Sequence, residues 1–339
     1  MHLADRMHLP EGYRARPYRG PADHGDMTGV LVAYREHLGD PEYPTVEQLD
    51  ASYAHLIDCD PNLDIVVIEH AGTIVGYVRV SRTEDEDGTT NCILFAPIRP
   101  DHLDRRLFDV VADAQEAHML TWLASGTPAR FRAFAAHPGP GRAPTDEAEW
   151  LEARGFTAVE WGASLVRPHL DEIPDLALPN GVVTRPVRPD ERRAIWEAHL
   201  EAFRGEWDFE EPTPEMVDAE LAEPYIDHTL WKVAWVDEPD GEVVGQVKSF
   251  INTEENEQRG YRRGYTEQIS THPAWRNRGI AGALLAMSLR ELRDRGMTEA
   301  ALGVDTNNPG GAFQLYTRLG FELRAYEAVY SKDVVPSEV

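Results

Sequence analysis

Cysteine is almost absent from this chain of 339 residues: there are two, Cys59 and Cys92, and they make neither a C-x-x-C pair nor a disulfide framework. Both read as small core residues of a protein in a reducing compartment. Long apolar runs are missing as well. None approaches the ~18 residues that a membrane-spanning helix requires, and the opening MHLADRMHLPEGYRARPYRG carries charge and proline where a secretory leader needs an apolar segment. A cytoplasmic protein with no membrane partner is expected. Basic residues are outnumbered, 33 Lys and Arg against 59 Asp and Glu, for a net charge of -26. Affinity for nucleic acid comes largely from cations that displace counterions from phosphate, so no nucleic-acid partner is expected. No His, Cys, Asp or Glu cluster has metal-ligand spacing, and no P-loop or G-x-S-x-G nucleophile elbow appears, so no metal is expected.

With 42% hydrophobic residues the chain has material for a core, and its length suggests two domains. The sequence repeats itself. RARPYRGPAD (14 to 23) is echoed by VTRPVRPDER (183 to 192), and DIVVIEHAGTIVGYVRV (64 to 80) by LWKVAWVDEPDGEVVGQVKSF (230 to 250), each the pattern of two strands around a tight turn. Pro17 and Pro186 have the same separation as Gly76 and Gly245. Each half then runs to a helix, a Gly-Phe pair and a strand, in 149 to 166 and again in 314 to 331. The expected organisation is a first domain over 1–170, a proline- and acid-rich linker over 171–182, and a second domain over 183–339. Alternating strand and helix patterns give the α/β class, with a mixed sheet of α+β character and a crossover helix between central strands.

The chemistry concentrates around HPAWRNRGIAGALLAMSLREL (272 to 292). A strand, GYTEQIST, enters it, and Ala283, Leu284, Leu285, Met287, Leu289 and Leu292 then supply an apolar helical face. The turn between them is a helix N-terminus, where unpaired amides and the positive end of the dipole attract anions. Gly279 and Ala281 allow close backbone approach, Arg276 and Arg278 add charge, and the turn has the character of a pyrophosphate cradle. G-x-G-x-x-G is absent from it, which argues against a dinucleotide-binding fold.

The order strand, R-x-x-G-x-A, apolar helix, strand EAALGVD, loop TNNPGGAFQ and LYTRLGF resembles the GNAT superfamily of acyl-coenzyme A dependent N-acyltransferases, strongly over residues ~180 to 333 and by architecture alone before that. The tandem layout is similar to that of mycothiol synthases. The resemblance implies two GNAT-like domains, each a mixed, mostly antiparallel sheet flanked by helices. It implies acetyl-CoA as cofactor, with the backbone of Ile269, Ser270 and Thr271 along the pantetheine arm. Arg276, Asn277, Arg278, Gly279, Ile280 and Ala281 would hold the pyrophosphate, and Asn308 would contact the cofactor. Tyr316 matches the family's general acid, and Glu267 stands where relatives can carry a general base. Each role has a structural competitor: a strand glutamate in an ion pair for Glu267, a packed tyrosine for Tyr316, a turn former before Pro309 for Asn308. Trp207, Phe209, Glu206, Asp208 and Glu210 fall where the family covers its acceptor. The partner is then a small-molecule amine, with a homodimer as the self-association allowed for. In the first half the corresponding turn, RPDHLDRRLFDVV (99 to 111), has no glycine, so that domain reads as a copy without the cofactor motif. A coenzyme A sensor or assembly module without catalysis is the competing reading.

Overall fold

The computed structural model describes residues 1–38, 43–56, 58–84, 88–123, 127–137, 139, 143–204, 212, 217, 227–238, 241–306 and 311–334. Along the first half run β1 (Tyr13–Pro17), α1 (His24–Leu38), α2 (Val46–Ala54), β2 (Ile65–His70), β3 (Thr73–Glu84), β4 (Thr90–Phe95), α3 (Arg105–Met119), β5 (Ala129–His137), α4 (Asp146–Ala153) and β6 (Thr157–Arg167). The second half contains β7 (Val182–Thr184), α5 (Arg192–Phe203), β8 (Lys232–Val236), β9 (Val243–Phe250), α6 (Thr253–Arg259), β10 (Arg263–Thr271), α7 (Ile280–Asp294), β11 (Glu299–Asp305), α8 (Ala312–Arg318) and β12 (Glu322–Val334).

Two compact units result, Met1–Ala163 with Asp305–Asn307 and Arg324–Val339, and Ser164–Val304 with Asn308–Leu323. The duplication is visible in their sheets. In the first unit β1, β2, β3 and β4 pair antiparallel in sequence order, and β4 then pairs parallel with β5 across the crossover helix α3. In the second, β7, β8, β9 and β10 repeat the antiparallel run, and β10 pairs parallel with β11 across α7. Each half is thus a mixed, mostly antiparallel sheet flanked by helices. Ala71 (φ 50°) and Gly72 (φ 83°) make the tight turn between β2 and β3 in the left-handed region. Gly155 and Gly320 (φ 85° and 82°) stand in that region after α4 and α8, where a helix C-cap needs it.

The units do not divide at a single cut near residue 170. From Arg324 on, β12 belongs to the first unit, paired antiparallel with β5 from Tyr326↔His137 to Val334↔Ala129. Its Ala328 and Tyr330, both fully buried, join Phe131, Ala133 and Ala135 in the core cluster there. A sequence pattern that ends in a strand says nothing of which sheet the strand completes. Cys92 lies in the same core, whereas Cys59 is half-buried; both are free, and burial pushes their thiols up to about 11 and about 12. Among the described residues no helix is long and apolar enough to cross a membrane, and no group of side chains could hold a metal ion.

The stretch expected as a linker is ordered against the second unit. Arg167, itself buried, donates from Nε to the carbonyl of His169 (2.8 Å) and from Nη2 to that of Glu172 (2.6 Å), and its Nη1 reaches the carbonyl of Leu319. Arg290 of α7 donates to the carbonyl of Pro174 (2.7 Å).

Candidate active site

Sequence places the site at the entry to α7, and the local backbone there follows from two left-handed residues. After β10, His272 caps a single tight turn over Pro273–Trp275. Asn277 (φ 62°) and Gly279 (φ 83°) then swing the chain into the helix. Among the described residues, the glycine's chain neighbours aside, no heavy atom lies within 4 Å of where a Cβ on Gly279 would stand, so packing does not demand the glycine; its dihedral does. Gly245 is the opposite case, since a Cβ there would come within 2.7 Å of Ile280 Cγ2.

The helix start is unplugged. Among the described residues no side chain caps α7, and its first hydrogen bond runs from the Ala283 amide to the Gly279 carbonyl (3.0 Å), which leaves Ile280, Ala281 and Gly282 without helical acceptors. The equivalent helix of the first unit is closed: the Asp104 carboxylate accepts from the Leu107 amide (2.8 Å), so an internal anion occupies that terminus. The two arginines of the turn differ in their use. Arg276 donates from Nη2 to the carbonyl of Ala202 at the end of α5 (2.6 Å). Arg278 donates to the carbonyl of Ala274 (3.1 Å) and stacks its guanidinium on Trp275, 4.7 Å from the ring centre.

A cavity of about 580 Å³ opens beside this turn. Ile269, Ser270 and Thr271 of β10, Arg276, Asn277, Gly279, Ile280 and Ala281 of the turn and helix start, and Tyr316 of α8 all line it. Sequence reasoning missed Leu176 and Ala177 of the stretch before β7, Ala202 and Phe203 of α5, and Trp275. Only the last two carried a signal, as aromatics close to the motif or to the acceptor stretch. Arg278 and Glu267 are not on the wall. Asn308, Asp240 and the acceptor stretch from Glu206 to Glu210 lie outside the described residues.

The strands next to the cavity diverge. β10 and β11 pair only from Arg263↔Glu299 to Tyr265↔Ala301, so the backbone of β10 beyond Tyr265 leaves its parallel partner. A bulge between Glu267 and Ser270, with Gln268 at φ 46°, re-aims the strand toward the cavity. Glu267 stands opposite Lys248 of β9, and its Oε1 accepts from the Gly303 amide (3.4 Å). Lys248 in turn lies 4.9 Å from the centre of the Trp231 ring. Tyr316 is buried against Phe321, and burial, with the charge of Glu267 as a second contribution, pushes its phenol above the ordinary range. The phenol therefore stays protonated at neutral pH. An anion-attracting helix terminus, the end of β10 that has parted from β11 and a protonated phenol thus surround one cleft, while the Glu267 carboxylate stands on β10 off its wall.

Comparison with known proteins gives this arrangement its relatives. The model of the acetyltransferase (GNAT) family matches residues 193–321, from α5 to the Gly-Phe pair just past α8. A protein of Salinispora tropica named mycothiol acetyltransferase is 30% identical over 258 residues, 74% of this chain and 75% of that one. Against two Streptomyces proteins of the same name the match spans about half of their length, 49% and 48%. Among solved structures, a GCN5-related N-acetyltransferase from Sphaerobacter thermophilus has a TM-score of 0.71 at 22% identity, covering 97% of this chain and 98% of that one. A tandem GNAT protein from the clavulanic acid biosynthesis pathway has a TM-score of 0.66 at 17% identity, covering 96% and 100%. With the fold shared along the whole chain and the sequence shared over most of it, this protein belongs to the GNAT acetyltransferase family.

Proposed function

We propose that the chain is an acetyl-CoA dependent N-acetyltransferase that acts on a primary amine of a small molecule, with the second unit holding both cofactor and chemistry. One observation carries the reading: the uncapped start of α7 opens into the same 580 Å³ cavity as Tyr316 and the end of β10 that has parted from β11. The cavity has the size of a ligand site, and the open space over Gly279 fits a phosphate group that a side chain would otherwise meet. When bound, acetyl-CoA supplies an activated acetyl thioester. The amides of Ile280, Ala281 and Gly282 would hold its pyrophosphate. Arg276 fixes the turn against α5 and adds positive charge nearby. The backbone of Ile269 to Thr271 would hold the pantetheine arm on the side where β11 no longer pairs. Glu267 takes a proton from the acceptor ammonium, directly or through water, so that a neutral amine can attack. Tyr316, kept as a phenol by burial, would supply the proton for the leaving thiolate.

The relatives named mycothiol acetyltransferase support an acceptor that is itself a small thiol-bearing molecule. The test is a panel of small primary amines, aminothiols among them, incubated with acetyl-CoA while free thiol release above each acceptor's own background is followed. Turnover on at least one acceptor supports the proposal. Tight coenzyme A binding with no turnover across the panel would replace it by the sensor reading.

A further inference from the structure

The first unit has a cavity of its own, about 250 Å³, beside the C-terminal end of β4 and under α1, α3 and α4. It occupies the place in this unit that the cofactor cavity occupies in the other, next to the parallel strand pair and its crossover helix. Two differences decide what it can take. The neighbouring helix terminus is already filled by the Asp104 carboxylate, so no cradle for phosphate adjoins it. The wall is otherwise mainly apolar and aromatic, with Phe95, Phe108 and Phe134 among its residues. Its polar edge carries two carboxylates, Glu147 and Glu327, against one guanidinium, Arg35. The Tyr34 hydroxyl donates to Glu147 Oε2 (3.2 Å), which leaves acceptor sites on that carboxylate for a second donor.

We infer that this cavity is a second ligand site, for a small amine with an apolar body. The ammonium would donate to Glu147 with the Tyr34 ring beside it, and the body would lie among the phenylalanines. The volume is just below the ~300 Å³ at which ligand pockets begin, which suits one ring on a short tether. Burial holds the Glu147 carboxyl up to about 7, so an arriving cation would drive it to its ionised form. The site is independent of the acetyl transfer proposed for the second unit.

Calorimetric titration of the full-length protein with 2-phenylethylamine, 2-phenylethanol and 3-phenylpropionate tests it, since the three share a ring and tether and differ in charge. The amine is expected to bind at this site at least tenfold more tightly than the alcohol, and the carboxylate not at all. Glu147→Gln should bring the amine down to the affinity of the alcohol. Ala112→Phe, which fills the cavity, should abolish binding of both, with Ala133→Leu as a milder filling variant should the first fail to fold. Coenzyme A affinity is expected to stay unchanged in all of them. Equal affinity for the three probes, no binding of the amine, or amine binding that survives both Glu147→Gln and a folded filling variant would overturn the inference.

Discussion

Tyr316 is the side chain on which the proposed chemistry can be separated from packing. It is 5% exposed and packed on Phe321, so replacement by phenylalanine keeps the contacts and removes only the hydroxyl. Tyr316→Phe is expected to lower kcat by about 100-fold or more while coenzyme A affinity holds. Steady-state kinetics beside a calorimetric Kd checks this, and a joint loss of both would make Tyr316 a packing residue. Glu147 gives a second prediction at this scale, in stability and not in rate. Its carboxyl is held up to about 7 by burial, above the value it has when the chain unfolds. Ionisation then costs more in the folded state, so the group's stabilising contribution is full below its unfolded pKa and is lost as pH rises toward 7. Glu147→Gln has no such loss. Denaturant unfolding should show the variant gaining on the wild type between pH 5 and pH 8, and an unchanged difference would contradict the shift.

At the scale of elements, the start of α7 is the part most legible in the sequence. Its signals are local: a β-rich strand, a turn with arginines and glycine, then an apolar face, all within thirty residues or so of one another. The open dihedral of Gly279 follows from that pattern. The lining supplied by Leu176 and Ala177 does not, because a proline- and acid-rich stretch has no periodicity to show that it packs on α7, as the bond from Arg290 to Pro174 shows that it does. Nor is the short parallel run of β10 against a diverging β11 legible, since the point at which strands part depends on partners far away in the chain. The uncapped helix start gives a prediction with two opposite signs. Ala281→Asp places an acid in the first turn, which favours the helix dipole by ~0.3–1 kcal/mol, and it sets a negative charge where a pyrophosphate would sit. The midpoint of thermal unfolding is expected to hold or rise while coenzyme A affinity falls by tenfold or more. A loss of stability together with affinity would count against the cradle.

For the whole molecule, the capped and uncapped helices predict the count of cofactors. Asp104 closes the terminus in the first unit and nothing closes it in the second, so the chain should take up one coenzyme A. Native mass spectrometry at saturating coenzyme A reads this directly, and two molecules per chain would refute it. The placement of β12 predicts a long-range effect of a terminal cut. Ending the chain at Leu323 removes the partner of β5 and the buried Ala328 and Tyr330 from the first unit, whose core should then loosen although its own contiguous sequence is intact. Hydrogen exchange along β5 is the measurement, and protection equal to that of the full chain would show the strand to be dispensable.

That same strand bears on the order in which the protein can come into being. A ribosome delivers the first unit's residues 1 to 163 early, yet the strand that completes its sheet emerges only after the strands of the second unit. At ~5–20 residues per second, roughly ten to forty seconds separate the end of β5 from the arrival of β12. Throughout that interval β5 presents an unsatisfied edge beside a partly built core, a template for pairing with any other chain. Folding of the first unit is therefore tied to synthesis of the second half through β12, and a nascent chain stalled within that half is the form most in need of protection from aggregation.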